Sequence, residues 1–316
     1  MGKNQTLQRL KQLGEKIVER AKKITIPFFD DVPLYDVALF FWRSIVDGSI
    51  TTRASAIAFS FFMAFFPFVI FLFTLIPFIP RIIPFIPAEG FQDELFELIK
   101  GIVPDESTFQ IIETTVDDIL NVPHSGLLSF GFFMALIFST NGLASMMSAF
   151  DATIHSIQRR TWLSQRITAI YLLIILFILL TVAITLLTGG QIFIQYLEEN
   201  DILRDSFILL LLTVGKWIIT LSLFFFAYSF LYYMAPAKKT KWRFISAGGT
   251  LATILSIVTI AGFTYYINNF SQYNKLYGSL GTVLIILFLM YIMSLILLIG
   301  FELNASIYQA RSSLEE

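Results

Sequence analysis

Lys216 stands inside an apolar run that extends from Phe207 to Met234. A cation in hydrocarbon costs ~2.5–3.5 kcal/mol on insertion scales. It therefore needs an anionic or polar partner, or it bends its apolar stem toward an interface and keeps the ammonium wet. Counted from Phe207, Lys216 lies ~15 Å deep at 1.5 Å per residue, near the membrane midplane. Counted from Thr213, it reaches the outer interface. Arg53 opens another apolar run, among Ser49, Thr51, Thr52 and Ser55. A guanidinium so placed suits a phosphate-like group on the floor of a cavity, or a boundary charge beside a Ser/Thr helix cap. Ser139, Thr140 and Asn141, followed by Gly142, fall deep in a third run. Small and hydroxyl residues there line a cavity or let helices pack closely. Lys216, Arg53, Ser139, Thr140 and Asn141 are thus the candidates for a substrate-binding cavity.

Glu302 closes the uncharged stretch Val283–Phe301. A carboxylate at a helix C-terminus faces the unfavourable end of the helix dipole. That position predicts a cationic partner, Arg53 first, in a structural ion pair or a cytoplasmic gate. Asp151 and His155 are one helical turn apart, but no third ligand accompanies them, so structural pairing is the simpler reading. The chain has no cysteine, which removes thiolate nucleophiles and cysteine metal sites. It also lacks GxxxxGK[ST], HExxH and GxSxG patterns. No catalytic residue, metal site or cofactor is expected, and no enzyme activity. Mid-membrane carboxylates, the usual mark of proton and sodium antiporters, are missing too.

These side chains have to be positioned by membrane helices. Of the 316 residues 56% are hydrophobic and only 14% charged, with Phe occurring 34 times and a mean hydropathy of +0.74. Soluble domains carry about 25% charged residues and could not cover so much apolar surface. The net charge of −1 gives no electrostatic basis for nucleic-acid binding. A bilayer core of about 30 Å needs ~20 apolar residues per helix. Six stretches meet that length: Ala54–Ile79, Leu127–Met147, Ile167–Thr188, Phe207–Met234, Phe244–Ile267 and Thr282–Phe301. Lys and Arg divide seventeen to four between the two sides, which places both termini in the cytoplasm. Residues 1–33 read as a basic, amphipathic cytoplasmic segment suited to anionic lipid. Residues 34–306 form the membrane domain. Within it, 34–46 is an interfacial elbow helix, and the acidic outer loop 80–125 holds two short amphipathic helices. Residues 307–316 are a cytoplasmic tail. The fold class is all-α, with six spans and amphipathic helices at both interfaces.

Several segments resemble one family. "TTRASAIAFS" with the following Pro67, "LYYMAP" at Leu231–Pro236, "WRFISAGG" at Trp242–Gly249, "FTYYINNFSQYNKLYGSLG" at Phe263–Gly281 and "LLIGFELNA" at Leu297–Ala305 are similar to the YihY family, also called the virulence factor BrkB family. The resemblance covers roughly Asp36–Ser306. It implies a six-helix protein of the bacterial inner membrane, with roles centred on transport, including envelope lipid traffic, and no catalytic residue. The old family label of ribonuclease BN finds no cluster of metal ligands in this sequence to support it. The expectation is a protein that moves or accommodates a lipid-like anionic amphiphile, with membrane lipids as partners. The rival readings are a small-solute or ion transporter, which needs a narrow polar path, and a scaffold binding other envelope proteins.

Overall fold

The architecture comes from a computed structural model that describes residues 32–47, 49–75, 125–153, 160–199, 206–237, 244–269 and 279–315. Seven α-helices account for nearly all of them: α1 Leu34–Asp47, α2 Ile50–Leu75, α3 Ser125–Thr153, α4 Trp162–Glu199, α5 Ser206–Met234, α6 Ala247–Asn269 and α7 Ser279–Glu315. Six, α2 to α7, are long and apolar enough to cross a membrane. Hydrocarbon offers the backbone no partners, so helices that satisfy their own N–H and C=O groups are the natural spanning form.

Local chemistry fixes several helix ends. Pro33 precedes α1, and its carbonyl accepts the amides of Asp36 (3.1 Å) and Val37 (3.3 Å). Pro236, which has no N–H to donate, follows the end of α5. Ser246 caps α6, its hydroxyl accepting the Gly249 amide at 3.1 Å. Pro67 lies inside α2, which continues through it.

Several helices run past the ends that hydropathy suggested, α3 among them, which ends at Thr153 and not at Met147. The third apolar stretch was expected to end at Thr188, but α4 extends to Glu199. Helix α7 runs on to Glu315, through the residues read as the tail. Its Ile307 and Ala310 are buried in a cluster with Val32, Val37 and Ala247. This apolar stripe packs α7 against α1 and carries the helix beyond its most hydrophobic part. The basic segment up to residue 31, the two outer-loop helices, and His124 and His155 lie outside the described residues.

The chain divides into two compact units. The larger comprises residues up to Phe59 and from Leu143 onward. There α1 packs on α7, α7 on α6, α6 on α5 and α5 on α4. Its aromatic centre stacks Phe150 on Phe301, centroids 3.9 Å apart, with Tyr232 edge-on to Phe150. The Tyr232 hydroxyl donates to the Leu297 carbonyl at 2.8 Å. Gly248 of α6 and Gly300 of α7 bring two backbones together. A Cβ on Gly248 would overlap the Gly300 carbonyl oxygen and come within 2.7 Å of the Asn304 side chain. Such small-residue contacts are the usual way membrane helices approach closely. The smaller unit, Ser60–Gly142, uses the same device. Phe61 lies where a Cβ on Gly142 would be, 2.9 Å from its Cδ1.

Candidate functional site

Four helices of the larger unit meet at Glu302, which is fully buried. Arg53, near the start of α2, donates through Nη2 to Glu302 Oε1 at 2.5 Å. Its Nη1 donates to the Ala149 carbonyl at 2.9 Å and to Thr153 Oγ1 at 2.6 Å, both on α3. The Thr153 hydroxyl in turn donates to Glu302 Oε1 at 2.8 Å. Ser44 of α1 donates to the other carboxylate oxygen, Oε2. The sequence paired Glu302 with Arg53, and the structure places the two in contact. The guanidinium is turned onto an internal carboxylate, with only 12% of its side chain exposed. Charge-assisted bonds of this kind are strong and directional. Their geometry here ties α1, α2, α3 and α7 together. Thr153 and Ser44 were missed. No pattern marks them, because they lie 149 and 258 residues from Glu302.

A second polar cluster closes α5. Arg160 Nη2 donates to the carbonyls of Met234 (3.2 Å) and Pro236 (2.8 Å). A cation at a helix C-terminus is favoured by the dipole and satisfies orphan carbonyls. Asp151 accepts the Ala237 amide at 3.1 Å. Burial pulls the Arg160 guanidinium below its ordinary value, and neighbouring Asp151 pulls it back up. Asp151 therefore serves the chain turn after α5, and the described residues contain no group of three or more potential metal ligands.

The remaining cavity candidates separate. Thr140 is buried, and its hydroxyl returns to its own helix, at 2.9 Å from both the Leu136 and Ile137 carbonyls. Ser139 and Asn141 beside it are half-buried. Lys216 is exposed and lies two residues inside the span Val214–Met234. The helix that carries it begins at Ser206, ten residues earlier.

Among the described residues, open space lies along the seam of α5 and α6. A cavity of about 460 Å³ is lined by Trp217, Thr220, Phe224, Ile257, Ile260 and Tyr265, among others. A second, of about 290 Å³, lies further along the same two helices, beside Leu221, Ser222, Phe225, Thr250, Thr253 and Ile254. The walls are apolar, with hydroxyls at intervals. Most of those hydroxyls are satisfied by their own helix, as Thr220 is by the Lys216 carbonyl and Thr253 by the Gly249 carbonyl. The rims are open to the outside: Trp217 is 53% exposed, Ile254 52% and Tyr265 68%. The recurrence of Ser and Thr on α5 and α6 was the sequence signal for this groove, and it was overlooked in favour of α3.

The family model for Virulence factor BrkB matches residues 41–316. The chain belongs to this family. A relative named putative ribonuclease-like protein YfkH, from Bacillus subtilis, is 26% identical over 265 residues, covering 84% of this chain and 92% of that protein. A UPF0761 membrane protein of Idiomarina loihiensis is 28% identical over 166 residues, 51% of this chain and 56% of that protein. Another, from Vibrio campbellii, is 34% identical over 111 residues, about a third of each. No solved structure matches. The α5–α6 groove and the Arg53–Glu302 centre both lie within the stretch that the BrkB family model matches. The membrane proteins among its relatives agree with the six spanning helices, and the ribonuclease-like wording belongs to the Bacillus protein's name.

Proposed function

We propose that this BrkB-family protein accommodates or moves a lipid-like anionic amphiphile in the bacterial inner membrane, with the α1 end of the bundle facing the cytoplasm. The observation that carries this reading is the open α5–α6 groove. It is apolar, it runs along two spanning helices, and its rims face outward where lipid would be. A path for water-soluble ions needs an enclosed polar lining, and the groove has Phe, Ile and Trp walls instead. The seventeen-to-four division of Lys and Arg supports the orientation. Native mass spectrometry of the purified protein tests the groove. Wild-type protein should keep phospholipid through delipidating detergent, and Ala261→Trp, which fills the larger cavity, should lose most of it while remaining monodisperse. Equal retention by the two proteins would remove the groove as the lipid site and with it this reading.

A further inference from the structure

Lys216 is exposed, immediately before Trp217 and one helical turn before Thr220, both of which line the groove. We infer that Lys216 is the headgroup receptor of this groove: it selects a phospholipid whose headgroup carries net negative charge, with one acyl chain lying between α5 and α6. The inference rests on the groove being a lipid site and adds which lipid, which way up and in which leaflet.

Position is the first argument. From Lys216 to Met234 the helix rises ~27 Å at 1.5 Å per residue, close to the ~30 Å of a hydrocarbon core. Met234 is the end sealed by Arg160. A core of that thickness with one edge at Met234 has its other edge at Lys216, whose flexible stem brings the ammonium within reach of headgroups. Trp217 and Tyr265 line the groove at that same end and are exposed. Amphipathic aromatics collect at headgroup level, so this end is the mouth. From Trp217 to Phe226, the last α5 residue of the inner cavity, is ~14 Å along the axis. That depth is about half of the core, one leaflet.

Charge is the second argument. Among the described residues the one ion pair is Arg53–Glu302, at the other end of the bundle. No acidic side chain among them lies within ion-pair reach of the Lys216 ammonium. A phosphate at the mouth would supply the missing counter-charge, as a point-charge contact of the kind lysine makes. The groove wall beneath it offers hydrocarbon contacts and no cation. A zwitterionic headgroup brings its own cation and gains less from this lysine. By the orientation proposed above, the site faces the outer leaflet.

The test compares phosphatidylglycerol with phosphatidylcholine on the full-length protein, by native mass spectrometry with matched acyl chains. Wild-type protein should prefer phosphatidylglycerol. Lys216→Gln should reduce that preference about fivefold, in line with the electrostatic worth of one basic residue near a membrane surface, with phosphatidylcholine binding unchanged. Lys216→Arg should restore it. Inorganic phosphate at millimolar concentration should not compete, which separates a lipid headgroup from a free anion; competition would replace the lipid by a soluble anion and overturn the inference. An unchanged preference in Lys216→Gln would also overturn it, while leaving the groove reading intact. Loss of both lipids in Ala261→Trp, with the Lys216→Gln preference unchanged, would identify a lipid groove without headgroup selection.

Discussion

Glu302 illustrates how a buried charge constrains its neighbours. It is 0% exposed, and Arg53, Thr153 and Ser44 all donate to it. Removing charges from water is costly, so a buried pair adds little net stability over an apolar pair of the same shape, whereas breaking it leaves one charge stranded. Glu302→Ala and Arg53→Ala are each expected to destabilise the protein by ~3–5 kcal/mol. The double variant Arg53→Met with Glu302→Leu should recover most of that loss. Thermal unfolding of the detergent-solubilised variants measures this, and a double variant no better than the singles would show that the pair is not acting as a unit. At this scale the sequence was partly readable. The helix dipole and the shared membrane side pointed from Glu302 to Arg53. They could not point to Thr153 or Ser44, which are common residues placed there only by tertiary packing. Lys216 was readable as a problem but not as an answer. Its depth depended on which apolar residue begins the span, and hydropathy does not distinguish Phe207 from Thr213.

Helices were legible where hydrocarbon dictates them and illegible at their ends. Hydropathy reports where apolar residues stop, whereas a helix stops where a breaker or a cap intervenes. No proline interrupts α4 between Thr188 and Glu199, or α7 between Phe301 and Glu315, so both continue. The start of α6, in contrast, is built from polar contacts. Asn304 of α7 accepts the Gly248 amide at 2.7 Å and donates to Ser246 Oγ at 3.0 Å, while Ser246 accepts the Gly249 amide. Two of the orphan amides that open every helix are met this way. Gly248→Val should therefore do more harm than Asn304→Ala. The valine has to displace a backbone carbonyl, whereas the alanine removes hydrogen bonds worth about 0.5–1.5 kcal/mol each. Melting temperatures of the two variants give the order, and an Asn304→Ala loss equal to that of Gly248→Val would mean the cap, not the close approach, holds α6 to α7.

For the molecule as a whole, the number of spans was visible in composition alone, because each span needs its own ~20 apolar residues. The arrangement of the helices was not visible, since lipid-facing and protein-facing residues are equally apolar in a membrane. The side occupied by each end rests on Lys and Arg. In this cysteine-free chain, single cysteines at positions 105 and 200 are expected to react with an impermeant maleimide added outside intact cells, and those at 8 and 240 to react only after permeabilisation. The opposite pattern would invert the protein and move the Lys216 mouth to the cytoplasmic leaflet. The Gly248–Gly300 contact bears on motion as well as stability. One turn away, Ala252 and Asn304 carry side chains where the glycines have none, so α6 cannot ratchet along α7 by a turn without a clash. Packed interfaces of this kind transmit displacement and do not absorb it. The pair α6–α7 behaves as one lever. One wall of the α5–α6 groove is therefore tied to α7, so that a displacement of α6 carries α7 with it.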